Sequence, residues 1–310
     1  MAPHATQGSL MSSEPSPVRE RALRAAVQDL QLTGGELVGS GLEFQVWRMR
    51  HQQWGEVALR LPAQAVESNP NDPLVDTAEL LRHEALVYMA LGGRGIPLPR
   101  LYDLRHYEVD VLVSEYVATD GSAWSSEELG RIVAGLHEAP VPVGIAPERS
   151  EDMFRGTIAE RVSRRHSVLR DLAPELEPLP GVDMLAAAVP EFGAGSLLHM
   201  DVRAANVLST GGRVSAVIDW SNSMVGDPAL ELARIETNAM FPENGIDHPE
   251  FLQGYRSVRP LPERSDACRS LYRLDAAVML SIVFTCEAPD AERGRLMLDQ
   301  VRDLAKAWQQ

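Results

Sequence analysis

Four polar side chains in the second half of the sequence have the types and spacing that phosphoryl transfer requires. His199, Asp201 and Asn206 lie in the run HMDVRAANVL, and Asp219 follows in VIDW. The reaction needs a carboxylate for the attacking hydroxyl and oxygen ligands that place Mg²⁺ against the phosphates. The pattern therefore predicts Asp201 as the catalytic group and Asn206 and Asp219 as Mg²⁺ ligands. The alternative is that these residues only cap turns, but a turn does not require this spacing.

A candidate phosphate-binding cation precedes this run. The sequence VALRLP predicts a strand ending near Arg60, where a protein kinase has the lysine of V-A-I-K. Only one of the 29 basic residues is a lysine, so arginine at this position also follows the general composition. Upstream, Gly39, Ser40 and Gly41 form a Gly-rich turn, with Phe44 where a third glycine of a nucleotide-binding loop would stand. Taken alone, two glycines also fit an ordinary hairpin.

The elements that must position these residues divide the chain into two parts. Residues 1–17 are rich in Ser, Pro and Gly, which predicts a disordered tail. Residues 18–117 alternate β-forming runs with turns, and they predict about five strands with one inserted helix over LVDTAELLRHEALVYMALGG. A first helix, VRERALRAAVQDLQL, precedes the strands. This part is expected to bind nucleotide.

Residues 118–310 predict a larger, mainly helical part. The helical pattern is interrupted around the polar run, where a short hairpin turned at Gly211 and Gly212 separates Asn206 from Asp219. The expected fold is therefore α+β and bilobal, with a small antiparallel sheet carrying a helix, a larger helical lobe, and a cleft between them.

Composition excludes some functions and leaves others open. A net charge of −15 argues against nucleic-acid binding, and it would attract a cationic small substrate, although an acidic surface also serves solubility. The two cysteines, Cys268 and Cys286, are too few for a disulfide framework, which favours a cytoplasmic location. The sequence has no run of about 18 apolar residues, so no membrane span is expected.

Two runs, LLHMDVRAANVL and AVIDWSNSMVGDPALELARI, carry a resemblance to a known family. They resemble the signature of the aminoglycoside phosphotransferases, which have a protein-kinase-like fold. The similarity covers about residues 35–235 and is more specific in the second part. It implies the same roles for Asp201, Asn206 and Asp219, with His199 bracing the loop and Asp227 capping a helix. It does not assign Arg203.

The resemblance also implies a nucleotide site in the first part. Gly39, Ser40 and Gly41 would cover ATP or GTP, and Arg60 would hold its phosphates while Glu84 orients Arg60. Glu84 could instead be an exposed helix charge. The run VLVSEYV would link the two lobes, and its contacts with the base would come from Val113 and from the backbone of Ser114 and Tyr116.

The function implied is transfer of the γ-phosphate of a Mg²⁺-nucleotide to a hydroxyl of a small, cationic antibiotic. Glu236, Glu243, Asp247 and Glu250 are candidates for an acidic rim around such an acceptor, or else a solvated face. The alternatives are a metabolic kinase for a small alcohol such as choline, homoserine or a fructosamine adduct, and a nucleotide-binding pseudokinase. A protein kinase is disfavoured because D-F-G and A-P-E are absent. The oligomeric state is left open.

Overall fold

The computed structural model describes residues 16–41, 43–141, 144–145, 151–193 and 195–308. The helices are α1 (Pro17–Asp29), α2 (Thr77–Leu91), α3 (Ser126–Glu138), α4 (Glu151–Leu172), α5 (Val182–Ala187), α6 (Pro228–Asn238), α7 (His248–Arg256), α8 (Asp266–Ile282) and α9 (Ala291–Lys306). The strands are β1 (Thr33–Ser40), β2 (Phe44–His51), β3 (Gly55–Pro62), β4 (Val66–Glu67), β5 (Val75–Asp76), β6 (Leu101–His106), β7 (Asp110–Glu115), β8 (Ser196–Leu198), β9 (Val207–Thr210), β10 (Arg213–Val217) and β11 (Met224–Gly226).

The first part is a five-stranded antiparallel sheet in the order β1-β2-β3-β7-β6. Side chains alternate between its faces, as the pleat requires. On β3, Val57, Leu59 and Leu61 join an apolar core with α1 on one face. Arg60 lies on the other face, and Glu84 of α2 packs against it there. The predicted sheet with an inserted helix is confirmed.

Helix α2 begins where the sequence provides a cap. The Asp76 carboxylate accepts hydrogen bonds from the backbone N–H groups of Ala78 and Glu79, both at 3.0 Å. This satisfies donors that a helix N-terminus leaves unpaired. The helix presents Leu81, Glu84 and Tyr88 to the interior, and Glu84 is only 1% exposed.

The predicted tail and the first helix meet at residue 17. Helix α1 begins at Pro17, and the Ser16 hydroxyl accepts its capping hydrogen bond from the N–H of Arg19. Residues 1–15 lie outside the described residues, so the disordered tail stays a prediction.

The second part is mainly helical, as expected. One core joins the two parts beneath α2 and α3, and another lies between α4, α6 and α8. The predicted hairpin is β9–β10, with Gly211 and Gly212 at φ 60° and 75°. A two-residue turn of this type needs positive φ at both positions. A second ladder, β8 with β11, was not predicted from the sequence. The α+β, kinase-like architecture is confirmed.

Helix α8 is followed directly by an irregular turn. The apolar pattern of the sequence continues from Asp266 through Ala288, but α8 ends at Ile282 and a π-helical turn follows over Val283–Glu287. This turn contacts the first part of the chain. The Glu287 carboxylate accepts a hydrogen bond from the side chain of Asn71, which lies in the loop between β4 and β5.

Candidate active site

His199 fixes the loop that carries Asp201. Its ring is fully buried beside Trp220, with ring centroids 4.4 Å apart. Nδ1 accepts a hydrogen bond from the backbone N–H of Asp201 at 3.1 Å, so Nε2 carries the proton and donates to the carbonyl of Ile218 at 2.9 Å. These two bonds join the residue before Asp219 to the loop of Asp201. His199 therefore has the bracing position that the sequence indicated.

The Asp201 carboxylate is held on two sides. Asn206 Nδ2 donates to Asp201 Oδ2 at 2.7 Å and to the Asp201 carbonyl at 2.8 Å. Arg203 Nε donates to both carboxylate oxygens, at 3.2 and 3.1 Å. The Asp201 side chain is 20% exposed, so a small molecule can reach it. Arg203, which the sequence left unassigned, is thus a direct partner of Asp201.

Asp219 follows the β9–β10 hairpin and has a left-handed backbone, with φ 67° and ψ 63°. A residue other than glycine rarely adopts this conformation, and it clusters at functional sites. The backbone N–H of Ile218 donates to the carbonyl of Asn206 at 2.9 Å, so the hairpin returns the chain to Asn206. The residue before Asp219 is therefore held next to Asn206.

Arg60 joins the sheet to this site. Its Nη2 donates to Asp219 Oδ1 at 2.6 Å, and its Nη1 lies 3.4 Å from Glu84 Oε2. Burial alone would raise the pKa of the Asp219 carboxyl, but the charge and hydrogen bond of Arg60 outweigh burial and lower it. At Glu84 burial prevails over the attraction of Arg60, and the pKa is raised. Tyr88 Oη donates to Glu84 Oε1 at 2.8 Å and fixes that carboxyl.

Phe44 is a partner of Arg60 that the sequence did not reveal. The Arg60 guanidinium carbon lies 4.4 Å from the centroid of the Phe44 ring, which is 4% exposed. A guanidinium stacks well on an aromatic face. The residue that replaces a third glycine thus supports the cation instead of opening the loop.

The Gly-rich turn is in register with Arg60 across the sheet, two strands away. Gly39 pairs with Val46, which pairs with Arg60, and Ser40 pairs with Gln45. The N–H of Gly41 donates to the carbonyl of Phe44 at 2.8 Å. A Cβ at Gly39 or Gly41 would meet its nearest neighbour at 3.6 or 3.7 Å, so the fold itself does not require glycine there.

The linking segment departs from the sequence prediction at two residues. Val113 pairs with Leu59, and its side chain lies in the core against α1, on the face of the sheet opposite Arg60. It therefore cannot flank a base on the Arg60 face, and Leu112, which pairs with Arg60, faces that side instead. The Tyr116 N–H donates to the Glu56 carbonyl at 3.2 Å, so in this structure it is not available to a purine.

Ser114, the next-to-last residue of β7, has a neighbouring strand on each side. It pairs with Ala58 on one side and with Leu101 on the other, and it is 7% exposed. A contact of its backbone with a base stays a prediction.

The donor set fits Mg²⁺. Asn206 commits its Nδ2 to Asp201, so its amide oxygen points away from that residue. Among the described residues, no hydrogen bond reaches Asn206 Oδ1 or Asp219 Oδ2. In the same part of the chain, no group of three or more His, Cys, Asp or Glu side chains is placed to hold a metal. An amide and one carboxylate suffice for Mg²⁺ when phosphate oxygens and water complete its shell.

The proposed acidic rim is not a free acidic surface. Arg273 forms an ion pair with Glu236, and Arg293 forms one with Glu243. Asp247 caps α7, and Glu250 accepts a hydrogen bond from Ser125. Each of these four carboxylates thus has a partner within the fold.

Asp227 has the structural role expected of it. It is fully buried and caps α6 through the N–H of Ala229 at 3.0 Å. Arg264 and Tyr272 also donate to it.

A buried carboxylate that the sequence did not single out as a separate site residue, Glu231, supports the loop of Asp201. Its Oε1 accepts the Met200 N–H and its Oε2 bonds to His137 Nε2, both at 2.7 Å.

The sheet, the paired helix and the loop with Asp201, Asn206 and Asp219 define the chain as a protein with a kinase-like fold. Residues 34–268 match the phosphotransferase enzyme family, and the chain belongs to that family. The resemblance seen in the sequence is thereby confirmed. Among the described residues, no helix is long and apolar enough to span a membrane.

A short segment is close to a curated relative. It is 51% identical over 39 residues to the hygromycin-B 4-O-kinase of Escherichia coli, and these residues span 13% of this chain and 11% of the relative.

Solved structures match over nearly the whole chain. The aminoglycoside phosphotransferase APH(4)-Ia superposes with a TM-score of 0.62 at 16% identity, covering 93% of this chain and 98% of that one. A thermostable mutant of that enzyme, in a ternary complex with AMP-PNP and hygromycin B, gives 0.60 at 15% identity, covering 92% and 97%. A macrolide 2'-phosphotransferase of type I gives 0.56 at 18% identity, covering 91% and 96%. At these identities the likeness establishes the fold.

Proposed function

We propose that the chain transfers the γ-phosphate of a Mg²⁺-nucleotide, ATP or GTP, to a hydroxyl group of a small acceptor. The observation that supports this most directly is the link from Asp201 through Asn206 to Asp219. The Asn206 side chain bonds to Asp201, and its carbonyl bonds to the residue before Asp219. A hydroxyl-activating group and two oxygen ligands would then share one site, as phosphoryl transfer requires.

Each residue would act through its present position. Asp201 would accept the hydrogen bond of the acceptor hydroxyl and take its proton, because its carboxylate is held by Asn206 and partly exposed. Asn206 and Asp219 would hold Mg²⁺, which neutralises charge on the phosphates when it is bound. Arg60 would hold the nucleotide phosphates. To do so it must exchange part of its contact with Asp219 for phosphate oxygens, while Glu84 and Phe44 keep the guanidinium in place.

The acceptor is proposed from the relatives. The matched enzymes are named for hygromycin B and for macrolides, so a hydroxylated antibiotic is our first candidate, and its inactivation would give resistance. The cationic character predicted from the net charge of −15 has less support near the site, where Arg203 contacts Asp201 directly.

The test compares wild type with Asp201→Asn. Nucleotide consumption is measured with a panel of hydroxylated antibiotics that includes hygromycin B. We expect wild-type turnover with at least one compound and a fall of roughly 100- to 10,000-fold in the variant, since a general base contributes about that much. AMP-PNP affinity, measured by calorimetry, should stay within about twofold, because Asp201 is not a proposed ligand of nucleotide or metal.

Asp266→Asn is the matched control, because its side chain is 96% exposed at the start of α8. Its turnover should equal that of wild type. Near-normal turnover of Asp201→Asn would reject its catalytic role. AMP-PNP binding without turnover of any compound in the panel would favour the pseudokinase, whereas turnover of only a neutral metabolite would favour a metabolic kinase.

A further inference from the structure

A buried cluster of arginines surrounds a single carboxylate beside the proposed active site. Arg161 of α4 donates from Nε and Nη2 to both oxygens of Asp275, in α8, at 2.8 and 2.7 Å. Arg234 of α6 donates to Asp275 Oδ2 at 3.2 Å, and Arg165 Nη1 lies 3.6 Å from Asp275 Oδ1. We call these residues, Arg161, Arg165, Arg234 and Asp275, the arginine cluster.

The arginine cluster has more positive charge than the fold can pair. Its three guanidinium groups meet one carboxylate, and their side chains are only 19%, 11% and 8% exposed. Two buried N–H groups, Arg165 Nη1 and Arg234 Nε, have no hydrogen-bond acceptor among the described residues. Burial and the neighbouring arginines lower the pKa of Arg165 to about 9, so its charge is held at a cost to the folded protein. Buried N–H groups without an acceptor are rare in proteins unless water or a ligand completes them.

Three observations place the arginine cluster near the loop of Asp201. The charge of Asp201 acts to raise the pKa of Arg234, which burial lowers overall. One turn later on the same face of α6, Asn238 Nδ2 donates to the carbonyl of Val202, in the loop of Asp201, at 2.9 Å. Arg161 Nη1 lies 4.0 Å from the sulfur of Met224, in the strand that pairs with the segment leading into that loop.

The loop between β4 and β5 reaches the same place from the sheet side. The carbonyl of Asn71 accepts hydrogen bonds from Arg164 at 2.6 Å and from Arg165 at 3.3 Å. The Asn71 side chain bonds to the carbonyl of Met279 in α8. The arginine cluster therefore lies where the two parts of the chain meet, within the same region as the catalytic loop.

We infer that the arginine cluster is the part of the acceptor site that binds an oxyanion group, a carboxylate, phosphate or sulfate, carried by the acceptor. The inference rests on the proposed function, because it assigns the acceptor of that reaction. Guanidinium groups with free N–H donors match the geometry of such groups. The acceptor is then a hydroxylated compound that carries an acidic group. The positive charge of the arginine cluster, and not the negative charge of the whole chain, indicates the charge of the group that binds there.

The stability of the ligand-free protein distinguishes a structural role of the arginine cluster from a binding role. If the role is purely structural, the loss of one arginine should lower that stability. Asp275 contacts three arginines, so removal of Arg165 leaves its closer contacts, those with Arg161 and Arg234, intact. If the arginine cluster exists to bind a ligand, relief of repulsion among the arginines should offset the loss of the 3.3 Å bond from Arg165 Nε to the Asn71 carbonyl. The ligand-free protein should then lose no stability when Arg165 becomes neutral. Binding residues commonly show this exchange of stability for function.

The experiment measures binding of sulfate to the full-length chain saturated with Mg²⁺ and AMP-PNP, so that the nucleotide site is already filled. Calorimetry should show saturable sulfate binding to wild type. Arg165→Gln and Arg234→Gln should weaken it at least tenfold, and Arg165→Gln should unfold at a temperature no lower than wild type. Arg273→Gln is the control, since Arg273 also lies in this helical part but is exposed and paired with Glu236. It should bind sulfate as wild type does.

Absence of saturable sulfate binding to wild type overturns the inference, and so does equal weakening in the Arg273→Gln control. If Arg165→Gln is less stable than wild type, Arg165→Lys decides, because it keeps the charge and loses the fork. Sulfate binding of Arg165→Lys between that of wild type and Arg165→Gln supports the inference, and binding equal to wild type overturns it. A failure of the proposed function is seen separately, as absence of AMP-PNP binding. In that case the sulfate titration is repeated on Arg60→Gln, so that sulfate bound at the proposed phosphate ligand of the empty nucleotide site is not mistaken for sulfate bound at the arginine cluster.

Discussion

The surroundings of Arg60 and those of Asp275 are unbalanced in opposite directions. Arg60 is one cation between two carboxylates, Glu84 and Asp219. Asp275 is one carboxylate among three cations, and it is fully buried. Both groups lie near the loop of Asp201, one on the sheet side and one on the helical side.

The difference indicates what each region binds. A surplus of buried negative charge is stabilised by a cation, and the residues around Arg60 would gain Mg²⁺. A surplus of buried positive charge is stabilised by an anion, and the arginine cluster would gain an oxyanion. Neither follows from the net charge of −15, because charges far from a site are screened while those in contact with it are not.

The largest expected effect comes from removing the single carboxylate of the arginine cluster. Asp275→Asn leaves the three arginines without their counter-charge and should lower the free energy of unfolding by roughly 3–5 kcal/mol. Glu84→Gln should cost less, because Arg60 keeps its 2.6 Å bond to Asp219. Denaturant unfolding of both variants measures this. A loss under about 1 kcal/mol for Asp275→Asn would show that the arginine cluster is already screened by solvent.

The second effect concerns the metal. Asp219→Asn removes the charge of a proposed Mg²⁺ ligand and weakens the hold on Arg60, so nucleotide consumption should fall on the order of 100- to 1,000-fold. The dependence of AMP-PNP affinity on Mg²⁺ should also disappear. Calorimetry with and without Mg²⁺ measures the second outcome, with Asp266→Asn as the exposed control. An unchanged dependence on Mg²⁺ would remove Asp219 from the metal site.

The third effect is a pH dependence from the arginine-rich side. His166 follows Arg165 on α4, and burial together with Arg170 lowers its pKa to about 4 from the usual 6.5. The unfolded chain therefore binds this proton first, and stability should fall as the pH falls from about 6.5 to about 4. The total is at most about 3 kcal/mol.

Unfolding of His166→Gln measured over this pH range should lack that component. His106→Gln, whose side chain is 78% exposed, is the control and should keep it. Parallel pH profiles for wild type and His166→Gln would contradict the assignment of this dependence to His166.

The smallest expected effect separates charge from geometry at Arg60. Arg60→Lys keeps the positive charge but loses the fork that reaches both Glu84 and Asp219 and the stacking on Phe44. AMP-PNP affinity should fall about tenfold, which corresponds to about 1.4 kcal/mol. Phe44→Leu, which removes the stacking but keeps an apolar side chain in the core, should lower it less. Equal affinity for wild type and Arg60→Lys would mean that the charge alone suffices.

Local patterns predicted the regular elements, and the resemblance to the family implied one long-range pair. Periodicity placed Arg60 on a strand and Glu84 on a helix, and only the resemblance indicated that the two side chains meet. The exclusion of Val113 from the base side did not follow, because the face on which a strand residue lies depends on register, and a shift of one residue reverses it. The early end of α8 at Ile282 was also missed, because the apolar pattern continues through the π-helical turn.

By itself the sequence determined the fold class, the hairpin between Asn206 and Asp219, and the residue types of the candidate site, because these depend on periodicity and on short spacings along the chain. Only the tertiary structure decided that Phe44 supports Arg60, that the Tyr116 N–H is already bonded, and that three arginines surround Asp275. Arg161 and Asp275 are 114 residues apart, so no short spacing along the chain links them. Their contact comes from helix packing, and the charge balance of the site becomes visible only once those helices are in place.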